Sequence, residues 1–114
     1  MDDLTDRELE ILPQVVSTLK KKTKANPVTN AQIVTGLKKH LNYTTSQPRV
    51  RKIISYIRIK GLITNLVGDN TGYYCTTDQK ELDKWIEQMK QRAAAILASA
   101  EKACIPGTQK ELIL

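Results

Sequence analysis

Positively charged side chains fill a long stretch of this chain that contains no negatively charged residue. Between Glu10 and Asp69 lie 58 residues without Asp or Glu, and eleven of them are Lys or Arg. The rest of the chain has seven bases and twelve acids, so the net charge of +6 divides into +11 in this stretch and −5 outside it. A stretch of this length that carries only positive charge attracts polyanions, above all the phosphate backbones of nucleic acids. A basic surface can also serve solubility alone. The eleven bases are Lys20, Lys21, Lys22, Lys24, Lys38, Lys39, Arg49, Arg51, Lys52, Arg58 and Lys60.

The residues that usually carry catalysis or bind metals are scarce. The single histidine, His40, follows two lysines, which is typical of a solvated histidine at a helix end. The two cysteines, Cys75 and Cys104, have neither metal-ligand spacing nor the number needed for a disulfide framework. The sequence also lacks a phosphate-binding loop and acidic clusters suited to metals. We therefore expect no enzyme, no catalytic residues, no metal, no cofactor and no small-molecule ligand.

Two capping boxes mark the starts of the first two helices. Thr5 and Glu8 form the first box, and Thr29 and Gln32 the second. Pro13 lies inside the first helix, where its missing N–H predicts a kink or a broken first turn. The expected buried residues of the first helix are Leu9, Leu12, Val16 and Leu19, and those of the second are Ile33, Val34, Leu37 and Leu41.

A glycine and a proline add detail to the second and third helices. Gly36 costs the second helix about 1 kcal/mol relative to alanine, so we expect it to let another helix approach closely. Pro48 suits the first turn of a third helix, and Gly61 suits its end. The apolar residues expected on its inner face are Val50, Ile53, Ile54 and Ile57.

The remaining chain reads as a hairpin and a long helix. Residues 62–67 predict one strand, 68–72 a turn, and 73–76 the returning strand. Thr77 or Asp78 is expected to cap a last helix that runs to Lys102 or Cys104 and stops before Pro106-Gly107. Its apolar residues step by four and three in an unbroken heptad seam from Leu82 to Ala103.

The predicted order is therefore three helices, a hairpin and a long helix, a mainly α fold with a small β-hairpin. It resembles the winged helix-turn-helix family over residues 5–104. The resemblance is strongest in Gln47-Pro-Arg-Val-Arg-Lys-Ile-Ile-Ser-Tyr-Ile-Arg, then Gly61-Leu-Ile and the Gly72-Tyr-Tyr strand. Within that family the chain looks like the short winged-helix proteins encoded by bacteriophages and prophages. The resemblance implies a DNA-binding protein in which the third helix enters the major groove.

Helical spacing places one polar face on the third helix, opposite its apolar stripe. Arginine pairs with guanine, glutamine with adenine, and lysine or tyrosine can hold phosphates or base edges. Lysines late in the second helix and the N-terminus of that helix are expected to position the phosphate backbone. The predicted nucleic-acid contacts are Gln47, Arg49, Arg51, Lys52, Ser55, Tyr56 and Arg58 of the third helix, with Thr29, Asn30, Lys38 and Lys39 of the second.

The hairpin and the last helix suggest other tasks. From Gly61 to Gln79 there is no Lys or Arg, and Asp69 lies at the hairpin tip, so the hairpin is expected to contribute little to DNA binding. The last helix is expected to pack with its first half and to form a two-fold homodimer with its second half. The alternative is a monomer in which the first helix runs along the whole seam, although the first helix is short for that. The dimer residues are Met89, Ala93, Ile96, Leu97 and Ala100.

These features predict a domain at 1–77, a long helix at 78–104 and a flexible tail at 105–114. The expected function is a small duplex-DNA-binding protein, a phage-type transcriptional regulator or replication accessory. The alternative is a winged-helix protein-interaction module that does not recognise DNA. The chain has no signal-peptide pattern and no apolar run of the roughly 20 residues that span a bilayer, so a cytoplasmic protein of a bacterial or phage-infected cell is expected.

Overall fold

The structure, a computed structural model, describes residues 4–106. It contains four helices and one antiparallel hairpin in the predicted order. The chain divides into two compact units, Met1–Leu82 and Asp83–Leu114. The elements are α1 (Asp6–Lys20), α2 (Asn30–Leu41), α3 (Gln47–Ile59), β1 (Leu66–Asp69), β2 (Gly72–Cys75) and α4 (Gln79–Lys102).

The predicted helix starts are confirmed. Thr5 and Glu8 exchange hydrogen bonds of 2.9 and 3.1 Å between backbone and side chain, and so do Thr29 and Gln32. Each box satisfies two backbone donors that a helix end would otherwise leave without partners. Ser46 caps α3, and Pro48 lies in its first turn as predicted.

The end of α3 is also confirmed. Gly61 adopts a left-handed backbone with φ of +67°, which glycine accepts without strain. The N–H groups of Gly61 and Leu62 donate to the carbonyls of Arg58 and Ile57, closing the helix in a Schellman motif.

The core of the first unit is built around α3. All four predicted inward residues of α3, Val50, Ile53, Ile54 and Ile57, are buried. They pack with apolar residues of α1, Leu37 of α2, Ile63 and Leu66 in one hydrophobic cluster. The core therefore covers one side of α3 and leaves its other side in solvent.

The buried face of α1 differs from the predicted one. Leu12 and Leu19 are buried as expected, but Leu9 is 42% exposed and Val16 is only half-buried. Ile11 and Val15 take their places, together with the carboxylate of Glu8. The predicted and the observed buried stripes of α1 both contain Leu12 and Leu19. Arg49 of α3 pairs with Glu8, and this ion pair favours the stripe that contains Glu8.

The predicted break at Pro13 does not occur, because α1 continues through it to Lys20. Pro13 and Leu9 both lie on the exposed side of the helix. Water can therefore satisfy the Leu9 carbonyl, which loses its donor at Pro13.

The expectation for Gly36 is wrong. A Cβ atom at this position would meet nothing within 4 Å, so no helix of the described residues approaches it closely. Gly36 instead lines an open groove of about 520 Å³ between α1 and α2. In α2 only Leu37 is buried, while Ile33, Val34 and Leu41 are partly covered.

The hairpin is shifted from its predicted position. β1 begins at Leu66 rather than at Leu62, because Leu62 completes the cap of α3 and buried Ile63 belongs to the core. The strands pair from Leu66 with Cys75 to Asp69 with Gly72, so the turn contains only residues 70 and 71. The returning strand accordingly starts at Gly72 and ends at Cys75.

A short bridge joins β2 to the segment before α2. Val28 and Tyr73 exchange backbone hydrogen bonds of 3.0 and 2.7 Å. A Cβ at Gly72 would lie 2.6 Å from the Val28 carbonyl oxygen, and Gly72 has φ of +129°. This close backbone approach therefore requires glycine.

The long helix begins and ends as predicted. The Asp78 carboxylate accepts a 3.0 Å hydrogen bond from the backbone N–H of Lys80, and α4 ends at Lys102. No residue of α4, all of which is described, is fully buried. Most of the predicted tail, residues 107–114, lies outside the described residues.

Candidate nucleic-acid interface

The outer face of α3 carries polar and basic side chains on the side opposite the core. Gln47, Arg51, Lys52 and Ser55 are exposed, whereas the four apolar residues on the inner side are buried. The helix turns by about 100° per residue, so this pattern gives two faces of opposite character. We call Gln47, Arg51, Lys52 and Ser55 the outer face of α3.

The charges on this outer face are not neutralised. Within residues 4–106, neither Arg51 nor Lys52 forms an ion pair with an acidic side chain. No Asp or Glu occurs between residues 11 and 68, so no acidic neighbour comes from α2 or α3 themselves. Two cations with free donors remain directed to solvent, a state suited to an anionic partner.

Arg49, another predicted DNA contact, is paired with an acidic side chain inside the protein. Its Nε donates to Glu8 Oε2 at 2.9 Å, and its terminal nitrogen donates to Glu8 Oε1. The Glu8 side chain is only 1% exposed, and the guanidinium beside it holds the pKa of this carboxyl below its usual value. Arg49 thus anchors the start of α3 to α1, and sequence spacing alone could not reveal a partner 41 residues away.

Arg58, also a predicted DNA contact, likewise has partners within the protein. Its Nε donates to the Leu66 carbonyl at 3.3 Å, and its guanidinium lies 5.7 Å from the Tyr73 ring centre. Burial lowers the pKa of this guanidinium from its ordinary value. Arg58 therefore ties the end of α3 to both strands of the hairpin.

Tyr56 lies at the border between the two faces of α3. It is half-buried against the core, and the ammonium of Lys60 lies 5.7 Å from its ring centre. This contact places one basic side chain near the C-terminal end of α3. Tyr56 can contribute a hydroxyl at the edge of the outer face, but much of its ring serves packing.

The side chains at the start of α2 already have partners. The Thr29 hydroxyl accepts the backbone N–H of Gln32, and the Asn30 carbonyl oxygen accepts the Tyr73 hydroxyl at 2.8 Å. Both were predicted to contact phosphates. In the structure they cap α2 and join it to β2, and the Thr29 hydroxyl, which accepts a hydrogen bond here, keeps its own hydrogen to donate.

Lys38 and Lys39 stay exposed near the end of α2, as a phosphate contact requires. Lys38 donates a 3.2 Å hydrogen bond to the side-chain oxygen of Asn42, which leaves its charge in place. Lys39 has no ion-pair partner among the described residues. Lys38 and Lys39, like Arg51 and Lys52, have no acidic partner among the described residues.

The hairpin tip carries a negative charge, as the sequence indicated. Asp69 Oδ1 accepts the backbone N–H of Thr71 at 2.8 Å and also accepts its hydroxyl. Both hydrogen bonds lower the pKa of Asp69, and the one from the Thr71 hydroxyl has the larger effect. The carboxylate therefore stays ionised at neutral pH and repels phosphate from the tip.

A polar cluster that the sequence did not reveal fixes the first turn of α4. The Glu81 carboxylate accepts the Thr76 hydroxyl, the Lys24 ammonium at 2.9 Å and the Tyr74 hydroxyl at 3.0 Å. These partners lower the pKa of Glu81 to about 2, and the hydrogen bond from Thr76 has the largest effect. Lys24, part of the basic stretch, is thus paired with an acid and is removed from the set of free cations.

Comparisons with known proteins identify no relative of this chain. No protein-family model, no curated protein and no solved structure matches the chain. The resemblance to winged-helix proteins thus stays a prediction, and the described side chains themselves carry the functional proposal.

The second half of α4 exposes apolar side chains. Ile96 is 64% and Leu97 60% exposed, and every residue from Lys90 to Lys102 is exposed. Ala93, Ala100 and half-buried Met89 complete the predicted dimer residues. Large exposed apolar residues that follow one another on a helix are typical of a surface that meets a partner.

Within residues 4–106, no three His, Cys, Asp or Glu side chains come together as metal ligands would. No helix in that range combines the length and apolar character needed to cross a membrane.

Proposed function

We propose that this chain is a small duplex-DNA-binding protein of winged helix-turn-helix type that reads DNA mainly through α3. One observation carries the proposal. Arg51 and Lys52 lie unpaired on a helix face that also displays Gln47 and Ser55 and has no acidic side chain. A face that is merely solvated usually mixes both signs of charge.

The dimensions and chemistry of α3 suit a major groove. Its 13 residues extend over about 20 Å, and the major groove, about 12 Å wide, admits one helix. Arg51 can donate two hydrogen bonds to guanine, and Gln47 can both donate to and accept from adenine. Lys52 and Ser55 can hold phosphates or base edges beside them.

The two engaged arginines support this role indirectly. Arg49 fixes the beginning of α3 through Glu8, and Arg58 fixes its end through the hairpin. A helix held at both ends presents its outer face in one orientation, so little ordering is needed when DNA binds.

The test begins with selection of bound duplexes from random DNA, followed by fluorescence anisotropy on the selected sequence. Arg51→Ala should weaken binding to that sequence by about 1–3 kcal/mol and relax the preference at one base pair. Arg92→Ala, which removes an equal charge from α4, is the matched control and should bind almost as wild type does. Equal affinity of wild type and Arg51→Ala for the selected DNA would reject α3 as the reader.

We also propose a two-fold homodimer formed through the second half of α4. Dimers read two half-sites one helical turn apart, which multiplies specificity. Sedimentation at micromolar concentration should give about twice the chain mass of 12.8 kDa. The double variant Ile96→Asp/Leu97→Asp should sediment as a monomer, whereas Gln88→Asp on the same helix should not. A monomeric wild type would remove the dimer and leave the DNA proposal standing.

A second function is favoured by the acidic hairpin tip together with the exposed apolar face of α4. Under this alternative the chain is a winged-helix protein-interaction module that does not recognise DNA. The alternative expects a protein contact that survives nuclease treatment and high salt, and no DNA sequence enriched by selection. An enriched sequence with a steep salt dependence of affinity would exclude it.

A further inference from the structure

A groove at the end of α2 brings two lysines and three threonines together. Its volume is about 420 Å³, and every polar side chain in its wall is an ammonium or a hydroxyl. We call it the Thr–Lys groove. Its wall consists of Val34, Thr35, Lys38 and Lys39 of α2 and Thr44 and Thr45 of the segment before α3.

Local backbone geometry forms this groove. Thr35 and Lys39 are four residues apart and so lie on one side of α2, one turn from each other. Asn42 ends the helix in a left-handed conformation with φ of 52°, and the N–H of Tyr43 donates to the Leu37 carbonyl. This tight end brings residues 44 and 45 alongside the last turn of α2, just before the cap of α3.

The groove offers donors and positive charge without competing acceptors. Within residues 4–106, the three hydroxyls have no hydrogen-bond partner and Lys39 has no ion pair. Lys38 is held by Asn42 at 3.2 Å, which orients the ammonium but leaves its charge and its other donors available. The N-terminal end of α3, beside residue 45, adds a partial positive charge.

We propose that the Thr–Lys groove binds one phosphate group, supplied by the DNA strand that lies beside α3. The inference rests on the proposed function and adds a specific subsite to it. Ammonium and hydroxyl donors along one groove match the several oxygens of a tetrahedral phosphate. Thr45 of the groove precedes Gln47 by two residues, so a phosphate fixed there sets the register in which the outer face of α3 meets the bases.

The main experiment measures affinity for the selected duplex across a range of salt concentrations. Log affinity falls as log salt rises, and Lys38→Gln/Lys39→Gln should make this negative slope shallower by about 0.9, the value for one lost phosphate contact. The loss should be the same for specific and non-specific duplexes, because a backbone contact reads no sequence. The control Lys84→Gln/Lys90→Gln removes the same charge from α4 and should leave the slope unchanged.

The hydroxyls are tested separately from the charge. Thr44→Val keeps shape and charge but removes one donor, so affinity should fall while the salt slope stays constant. An unchanged slope in the lysine double variant, or an equal change in the α4 control, would overturn the subsite.

Titration of the protein with inorganic phosphate, followed by amide NMR shifts, separates this inference from the proposed function. Saturable shifts at residues 35, 44 and 45 that vanish in the lysine double variant support a phosphate site even if no duplex binds. In that case the DNA proposal fails and the phosphate comes from another source. Absence of both duplex binding and saturable shifts would overturn both proposals.

Discussion

Helices α2 and α3 are alike in length and capping but differ in how the protein holds them. They contain 12 and 13 residues, and a hydroxyl side chain caps each of them. Four inward residues of α3 are buried, and arginines tie both of its ends to neighbouring elements. In α2 only Leu37 is buried, and Gly36 faces an open groove.

The difference shows how one amphipathic pattern can serve two purposes. The inner face of α3 is part of the core, so its outer face is presented on a rigid support. α2 contributes less to the core and presents more of its surface, including Lys38 and Lys39. The free energy of unfolding should therefore respond strongly to changes on the inner face of α3 and weakly to the matching changes in α2.

The largest expected effect comes from the centre of α3. Ile57→Ala removes a fully buried side chain and should lower the free energy of unfolding by about 2–5 kcal/mol. The matched change Ile33→Ala in α2 removes a partly covered side chain and should cost about 1 kcal/mol. Urea denaturation followed by circular dichroism measures both, and equal losses would contradict the contrast between the helices.

The next effect separates two arginines of α3 that are two residues apart. Arg49→Ala leaves the buried Glu8 carboxylate without its cation, and should lower the free energy of unfolding by about 1–3 kcal/mol. Arg51→Ala, on the outer face, should change it by less than about 0.5 kcal/mol. Denaturation and DNA titration of both variants compare two quantities, the free energy of unfolding and the affinity for DNA. Arg51→Ala should lose DNA affinity while remaining stable.

If Arg49→Ala is as stable as wild type but Arg51→Ala is not, the two roles are exchanged: Arg51 would then hold α3 in place, and Arg49 would be the residue available to DNA. Arg49→Lys serves as a further control, because lysine keeps the charge but cannot make the two parallel hydrogen bonds to Glu8. It should fall between wild type and Arg49→Ala in stability.

These arginines also show how far sequence reasoning reaches. The capping residues, the inward stripe of α3 and the ends of α3 and α4 follow from local patterns, and the structure confirms them. The partners of Arg49 and Arg58 do not, because they lie on α1 and β1 and depend on how the elements pack. The sequence also predicts the wrong buried stripe of α1. The ion pair between Glu8 and Arg49 favours the other stripe, and this pair too depends on how the elements pack.

The predictions that concerned Gly36 and the hairpin show a second limit. Sequence identifies glycines and turn residues, but not which backbone lies beside them. The sequence pattern predicts a turn that includes Gly72, whereas Gly72 opens β2 against the Val28 backbone. The glycine at position 36 predicts a close helix contact, whereas it faces open space.

The pH dependence of stability tests the anchor of α3 without changing its packing. The pKa of Glu8 is lower in the folded protein than in the unfolded chain, so its contribution is complete above the ordinary carboxyl range. That contribution is lost as pH falls through the lower folded value. The stability difference between wild type and Glu8→Gln should therefore be largest near pH 7 and shrink in acid.

Urea denaturation of both proteins near pH 7 and in progressively more acidic buffer measures this difference. Glu81, whose pKa lies at about 2, titrates in both proteins and so cancels in the comparison. A difference that stays constant into acid would mean that the charge of Glu8 does not hold α3.

The smallest expected effect has the opposite sign and lies in α2. Alanine is about 1 kcal/mol more favourable than glycine inside a helix, and a Cβ at residue 36 meets nothing within 4 Å. Gly36→Ala should therefore raise the free energy of unfolding by up to about 1 kcal/mol and the melting temperature by a few degrees. Gly72→Ala is the control, since its Cβ would lie 2.6 Å from the Val28 carbonyl oxygen, and it should lower stability. A destabilised Gly36→Ala would mean that some element closes on α2 in solution, and the looser packing of α2 relative to α3 would no longer hold.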